Sequence, residues 1–273
     1  MVWLTALLLI YKVNMKLSAK TILITGGTSG IGLELARQLL KRRNTVIVTG
    51  RDQHKLDQVQ EALPGVYGFQ SDVSDPVAIE GLRAQVLHQF PTLDVLVNNA
   101  GIMRNLNLND ERSLVDVTRE IEVNLAGPVR MMQSFLPHLK TRKGAVIVNV
   151  SSGLAFVPLP LSPVYCATKA AMHSFSQSMR AQLAGTSVTI VELAPPATET
   201  PLLRGEFEKE YQGQKAMSVE TLVAKTIAGI ESGTLEIRPG LSNILKIMSR
   251  LAPNFMFKQL AKVGQSYPAT STT

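Results

Sequence analysis

Short runs of consecutive apolar residues alternate along this chain with longer stretches in which apolar residues recur every three or four positions. The runs at 21–24, 46–48, 66–70, 95–97, 145–150, 188–193 and 235–237 predict strands. The periodic stretches at 31–40, 77–90, 114–139, 164–183 and 219–230 predict helices. The strands are apolar throughout, without in–out alternation, so both their faces are buried. A parallel sheet with helices on each side satisfies that requirement. Right-handed crossovers then give an α/β doubly wound fold of about seven strands. No internal repeat or long linker interrupts the alternation. The chain therefore reads as one Rossmann-type domain over residues 15–240, an apolar extension over 1–14, and a basic amphipathic segment over 241–273 packed on or capping the domain. Pro253 divides that last segment into two short helices.

In such sheets ligands sit beyond the carboxyl ends of the strands, and the unusual residues of this sequence fall there. Gly26 to Gly32 follow the first strand, Arg51 the second and Asp72 the third. Asn98 to Gly101 follow the fourth, Ser151 and Ser152 the fifth, and Pro195 and Pro196 the sixth.

The segment Thr25-Gly26-Gly27-Thr28-Ser29-Gly30-Ile31-Gly32 joins a strand to a helix. Gly26 permits the turn, Gly30 lets the backbone approach a phosphate, and Gly32 lets the helix pack closely on the sheet. The N–H groups of the helix start, around Thr28 to Ile31, face the pyrophosphate of a dinucleotide. At the end of the second strand an NAD site places an acid on the ribose hydroxyls, whereas an NADP site places a cation on the 2′-phosphate. Here Gly50 is followed by Arg51, which favours NADP(H) over NAD(H). Asp52 reads as a helix cap. Asp72 and Val73 border the adenine, with helix capping as the alternative role for Asp72.

Tyr165 and Lys169 lie four apart on one helix face. Ser152 ends the strand before that helix. Asn124 sits inside the 114–139 helix, where an amide implies either a distortion or a water-binding role. With the glycine loop and Asn98-Asn99-Ala100-Gly101, this set resembles the short-chain dehydrogenase/reductase family over about residues 21–200. The 191–198 segment further resembles its DltE-like subgroup of oxidoreductases. The resemblance implies hydride transfer between nicotinamide and a carbonyl or secondary alcohol, without metal. Tyr165 is then the general acid or base, Lys169 lowers its pKa and holds the nicotinamide ribose, Ser152 binds the substrate oxygen, and Asn124 holds a relay water. Asn99, Ala100 and Gly101 border the adenine ribose, Asn98 is structural, and Pro195 and Thr198 lie by the nicotinamide. Pro196 stands where the family usually has glycine. A homodimer or homotetramer is implied through the helices carrying Asn124 and Tyr165. The alternative is a non-catalytic NADP(H)-binding regulatory or scaffold protein.

Composition adds limits. The net charge of +7 comes from dispersed cations with clusters at 41–43 and 140–143, which read as helix ends. No zinc-ligand spacing or aromatic run accompanies them, so nucleic acid is not an expected partner. One cysteine, Cys166, allows no internal disulfide and fits a reducing, cytoplasmic setting; it reads as a buried packing residue. His54, His88, His138 and His173 read as helix surface or helix ends. The apolar run at 2–10 is shorter than the ~20 residues a bilayer span needs and lacks signal-peptide flanks. It reads as an upstream start or extension, with peripheral membrane contact the less favoured reading. Leu154, Phe156, Val157, Leu159, Leu161, Leu202 and Leu203 are expected to wall an apolar substrate pocket. Residues 204–214 are expected to form a charged, mobile flap.

Overall fold

The computed structural model describes residues 16–210 and 215–263; the extension at 1–14, the end of the flap at 211–214 and the last ten residues lie outside it. Strands β1 (Thr21–Ile24), β2 (Thr45–Gly50), β3 (Val66–Gln70), β4 (Leu93–Asn98), β5 (Ala145–Val150), β6 (Val188–Leu193) and β7 (Glu236–Ile237) form one parallel sheet. Their order is β3-β2-β1-β4-β5-β6-β7. The chain starts in the middle and winds outward both ways, so the crevice between the carboxyl ends of β1 and β4 is the switch point where a ligand fits.

Alternate strand residues feed two cores. Ile22, Ile24, Val46, Val48, Val95, Val97, Val146 and Val148 pack with α1 (Gly30–Leu40), α2 (Gln53–Ala62) and α8 (Val219–Glu231). Leu23, Ile47, Leu96, Ile147 and Ile190 pack with α3 (Pro76–Gln89), α5 (Gly127–Leu139) and α6 (Pro163–Gln182) on the other face. Each fully buried Leu, Ile or Val contributes about 1.5–3 kcal/mol of transfer free energy, so both faces drive the sheet inward. Asp52 accepts from the Lys55 N–H and Asp75 from the Val77 N–H, capping α2 and α3. Asp72 instead closes a turn on the Ser74 N–H and hydroxyl at 2.9 and 2.7 Å.

The expected long helix at 114–139 is α4 (Leu114–Ile121), a π-helical turn over Glu122–Ala126, and then α5. Pro128 has no N–H to return to the Asn124 carbonyl one turn earlier, and the ladder widens there. Asn124 therefore lies in the distortion its sequence position implied. Two further short elements were not legible: a 3₁₀ turn at Gly153–Ala155 and α7 (Pro201–Arg204).

After β7 come α9 (Leu241–Leu251) and α10 (Pro253–Ala261), parted at Pro253 as expected. Ser242 and Leu245 are buried, whereas Leu241, Ile244, Ile247 and Leu251 face outward. The basic clusters end helices: Lys41 caps α1 and Lys140 caps α5, with Arg42 paired to Glu231 and Arg142 to Asp94. Among the described residues no helix is long and apolar enough to cross a membrane.

Three readings need correction. His173 is not a surface residue: its Nδ1 lies 2.7 Å from the buried Glu192 carboxylate, and its ring packs edge-on against Phe156. Its neighbours are already cationic, Lys246 and Arg180 contacting Glu236 at 2.6 and 3.3 Å. Although His173, Glu192 and Glu236 converge, this cluster is a neutralised network tying α9 to the sheet. Burial pushes Glu236 up, but Lys246, Arg180 and Arg238 overcome it and hold the carboxyl at about 2. Leu159 and Leu161 do not wall a pocket; they are buried with Met103, Tyr165, Cys166 and Phe207 in a third core. The described part of the flap is tethered, Glu206 accepting from the Asn105 N–H at 2.8 Å and Arg204 pairing with Glu199 at 2.6 Å.

Candidate active site

A cleft of about 480 Å³ opens along the carboxyl edge of the sheet. At one end is the turn after β1. Gly26 (φ 65°) and Gly30 (φ 52°) have left-handed backbones that favour glycine. At Gly32 an added Cβ would stand 2.4 Å from the Gly26 carbonyl and 2.5 Å from Asn99 Nδ2. Gly32 thus sits behind the cleft and does not line it; counted with the cofactor-binding loop by its motif, it acts by letting α1 approach that loop. Asn99 Nδ2 donates to the carbonyls of Thr25 and Gly26, both at 3.0 Å. The expected neighbour of the adenine ribose thus also clamps the loop. Ser29 caps α1 without a side-chain hydrogen bond, leaving the N–H groups of the first turn toward the cleft, the arrangement that suits a pyrophosphate.

Thr28, Ile31, Ala100, Gly101, Asp72 and Val73 also line the cleft. At Gly50 a Cβ would meet Thr28 Cγ2 at 2.8 Å, so an acidic side chain at that position would have to displace Thr28. Arg51 is exposed, in the cleft wall, and in no ion pair among the described residues. Lys55 joins it there. The sequence reading missed Lys55, although a cation in the first turn of a helix opposes the helix dipole and signals an anionic partner. Of the charged groups at the β2 end, the cations Arg51 and Lys55 fit a 2′-phosphate. Asp52, which also borders the cleft, has its Oδ1 on the Lys55 N–H.

The polar tetrad lies at the other end, all four residues buried. The 20-residue α6 starts at Pro163, which presets the first turn, and presents Tyr165 and Lys169 from one face. Lys169 Nζ is 5.5 Å from the Tyr165 ring centroid and donates to the Val150 carbonyl at 2.9 Å. Burial pushes Lys169 down to about 8, the negative charge of Glu120 opposing it. Ser152 Oγ accepts from the Leu154 N–H at 3.1 Å, fixing the turn after β5. Asn124 does not line the cleft: its Oδ1 accepts from the Ile102 N–H at 2.9 Å and its Nδ2 donates to the Ile102 carbonyl at 2.8 Å. A Cβ built on Gly101 would lie 3.3 Å from Asn124 Oδ1 and 3.6 Å from Lys169 Nζ. The amide and the ammonium therefore converge behind Gly101.

Pro195 and Thr198 line the cleft opposite the glycine loop. The Pro195 carbonyl accepts from the Gly153 N–H at 2.8 Å, and the Pro196 carbonyl accepts from the Thr198 hydroxyl at 2.8 Å. Pro196 is accommodated by these carbonyl contacts, which need no N–H from it. Beyond the tetrad the walls are Met103, Leu154, Leu202, Leu203, Leu245 and Leu260. Cys166 faces away, bonded through sulfur to Leu159, with burial pushing its thiol up to about 11. Asn98 Nδ2 donates to Asn149 at 2.9 Å between strands, the structural role expected for it.

Comparison with known proteins agrees with this geometry. The family model described as short chain dehydrogenase matches residues 20–211. The chain is 42% identical over 248 residues to the uncharacterized oxidoreductase DltE of Bacillus subtilis, covering 90% of this chain and 98% of that one. It is 32% identical over 233 residues to the NADP-dependent 3-hydroxy acid dehydrogenase YdfG of Escherichia coli K12, covering 80% and 94%. A solved short chain dehydrogenase from Burkholderia cenocepacia in complex with NADP shares the fold at a TM-score of 0.78 and 24% identity, over 90% of this chain and 99% of that one. The sheet order, the glycine turn and these matches establish that the chain belongs to the short chain dehydrogenase family of oxidoreductases.

Proposed function

We propose that this protein is an NADP(H)-dependent oxidoreductase that interconverts an apolar carbonyl compound and its secondary alcohol. The observation that carries this reading is one continuous cleft with a cation-lined cofactor end, a buried Tyr165–Lys169 pair and an apolar far wall. The name of the YdfG relative points to the same cofactor, while the Brucella melitensis 3-ketoacyl-(acyl-carrier-protein) reductase, 27% identical with a TM-score of 0.74, was solved with NADH. The choice between the two therefore rests on Arg51, Lys55 and the missing acid at Gly50.

The nicotinamide cofactor, when bound, supplies the hydride to the carbonyl carbon or takes it from the alcohol. The Tyr165 hydroxyl gives the proton to the carbonyl oxygen in reduction and removes it in oxidation. An ordinary tyrosine, with pKa about 10, is a reluctant base near neutrality. The Lys169 ammonium, held in a dry site by the Val150 carbonyl, favours phenolate and closes that gap. Ser152 donates to the substrate oxygen as negative charge develops there. Asn124 holds the Ile102 backbone in place through both its N–H and its carbonyl. Arg51 and Lys55 hold the 2′-phosphate.

The cofactor assignment has a direct consequence. The double variant Arg51→Ala, Lys55→Ala is expected to weaken NADPH binding about 10- to 100-fold, since hydrogen bonds to a charged group contribute about 1.5–3 kcal/mol. NADH binding should change by about two-fold or less. Equal losses for both would place the two cations away from the phosphate.

The activity itself is tested by following NADPH absorbance with a panel of aliphatic aldehydes, ketones and keto esters of increasing chain length. The expected result is turnover that improves as the chain lengthens to fill the wall of Leu202, Leu245 and Leu260. Bound NADPH with no oxidation by any carbonyl would support the scaffold alternative. The helices carrying Asn124 and Tyr165 are proposed to form a homodimer or homotetramer contact; α4 offers Leu114 and Val115, both more than 80% exposed, as apolar surface for it.

A further inference from the structure

One buried acid has no part in the chemistry assigned to the tetrad. Glu120 is 1% exposed, on α4, one turn before Asn124. Its Oε1 accepts from the Arg104 N–H at 2.9 Å. Its Oε2 is buried and has no hydrogen-bond partner. A solvated or ion-paired carboxylate would be the ordinary arrangement, and nearby Arg104 is already engaged elsewhere, its guanidinium on Asp116 at 2.9 Å. An orphaned buried carboxylate oxygen is costly, and the cost falls when the group carries a proton.

The placement explains what the carboxyl is for. Asn124 grips Ile102 by both its N–H and its carbonyl, and Glu120 grips Arg104 two residues on. Between them Met103 packs against Tyr165 and Cys166 in the third core and lines the cleft. One helix thus clamps three successive residues beside the tyrosine. On α6 the Tyr165 backbone N–H favours the charged form of this carboxyl, and the carboxylate charge in turn favours the Lys169 ammonium.

We propose that Glu120 is a positioning residue of this site, a buried carboxyl that pins residues 102–104 beside Tyr165 and acts electrostatically on Lys169. The role toward Lys169 rests on reading Tyr165 and Lys169 as the proton-transfer pair; the buried-proton part does not. Burial pushes Glu120 up to about 7, against the opposing pull of the Arg104 N–H and guanidinium. The groups facing it are Arg104 from the loop, Glu206 from the segment after α7, and Tyr165, Cys166 and Lys169 from α6. When Glu120 ionises it adds a negative charge that favours the Lys169 ammonium. Burial weakens the hold of Lys169 on its proton, and the ionised acid offsets part of that, moving the loss to higher pH.

The linked stability has a definite sign. A carboxyl whose folded pKa is about 7 against an ordinary 4.5 binds more protons folded than unfolded between those values. Its contribution is fully present below 4.5 and is lost as pH rises through 7. Thermal melting of the full chain without cofactor, from pH 5 to 8, reads this directly. Glu120→Gln keeps the acceptor for Arg104 and cannot ionise, so its melting temperature relative to the wild type should rise from pH 5 and level off above about 7. Parallel curves would overturn the buried proton, whatever the enzyme does.

Turnover supplies the second reading. The alkaline limb of the kcat–pH profile should move to lower pH by about half a unit in Glu120→Gln. Glu120→Asp, which keeps the charge with shorter reach, should return it part of the way. Unchanged limbs in both variants would overturn the link to Lys169. A positive melting result with no turnover in any protein, wild type included, would instead count against the proposed function. Should Glu120→Gln not fold, Glu120→Met, of similar length and unable to ionise, carries both measurements against the wild type.

Discussion

Replacing Tyr165 by phenylalanine is expected to lower kcat by at least about 10³-fold, near the upper part of the range that a positioned general acid or base contributes. The ring is buried with Met103, Leu159 and Leu161, and phenylalanine fills the same space, so the packing of α6 should survive. The dinucleotide end of the cleft lies on other elements, the turn after β1 and the end of β2. NADPH affinity should therefore stay within about two-fold, since no group at the phosphate end is altered. That split between turnover and binding is the signature of a proton-transfer residue. A protein that uses NADP(H) only as a structural or regulatory ligand would show no turnover to lose. Retained turnover in Tyr165→Phe would move the proton-transfer role to another group.

The second large effect is expected at Gly32. A methyl group there collides with a backbone carbonyl at 2.4 Å and a side-chain amide at 2.5 Å, and neither neighbour can yield. The Gly26 carbonyl belongs to a turn held in a left-handed conformation, and the Asn99 amide is the clamp that closes that turn. Gly32→Ala should cost about 3 kcal/mol of stability, the upper end for overpacking at a rigid site. It should also weaken NADPH at least about 10-fold, because α1 can make room only by moving its N-terminus off the phosphate. Gly81→Ala is the control. That glycine is inside α3 with nothing within 4 Å of its added Cβ, and the change should stabilise by about 0.5–1 kcal/mol through helix propensity. Chemical denaturation of the three proteins, with and without NADPH, separates these outcomes.

The sheet was legible because burial on both faces leaves uninterrupted apolar runs. Four strands, β1, β3, β5 and β6, have the bounds their runs imply. Most of the proposed site residues were legible for a related reason: a doubly wound sheet gathers the residues just past its strand ends onto one edge. The contacts that escaped are those that depend on depth. Nothing in the spacing of His173 shows that its ring meets a buried glutamate, because a period of 3.6 residues marks a face and not the group opposite it. Leu159 and Leu161 are as apolar as a pocket wall, yet the turn after Gly153–Ala155 folds them under Tyr165. Lys55 carries one local signal, a cation in the first turn of a helix, and the position of that helix at the cleft mouth shows what the signal is for. Glu120 reads as polar and helical, and nothing in its spacing shows that its carboxyl turns in to the Arg104 N–H. The distortion at Asn124, by contrast, had a local cause written nearby in Pro128.

The central claim is that the cleft holds a phosphorylated nicotinamide dinucleotide between the glycine turn and Arg51. Fluorescence titration of the purified protein with NADPH and NADH in parallel tests it most directly. The account predicts saturable binding of both, with NADPH at least about 10-fold tighter, the contribution of one or two charge-assisted contacts. Tighter binding of NADH would contradict the phosphate assignment at Arg51 and Lys55, and saturation by neither would contradict the claim itself.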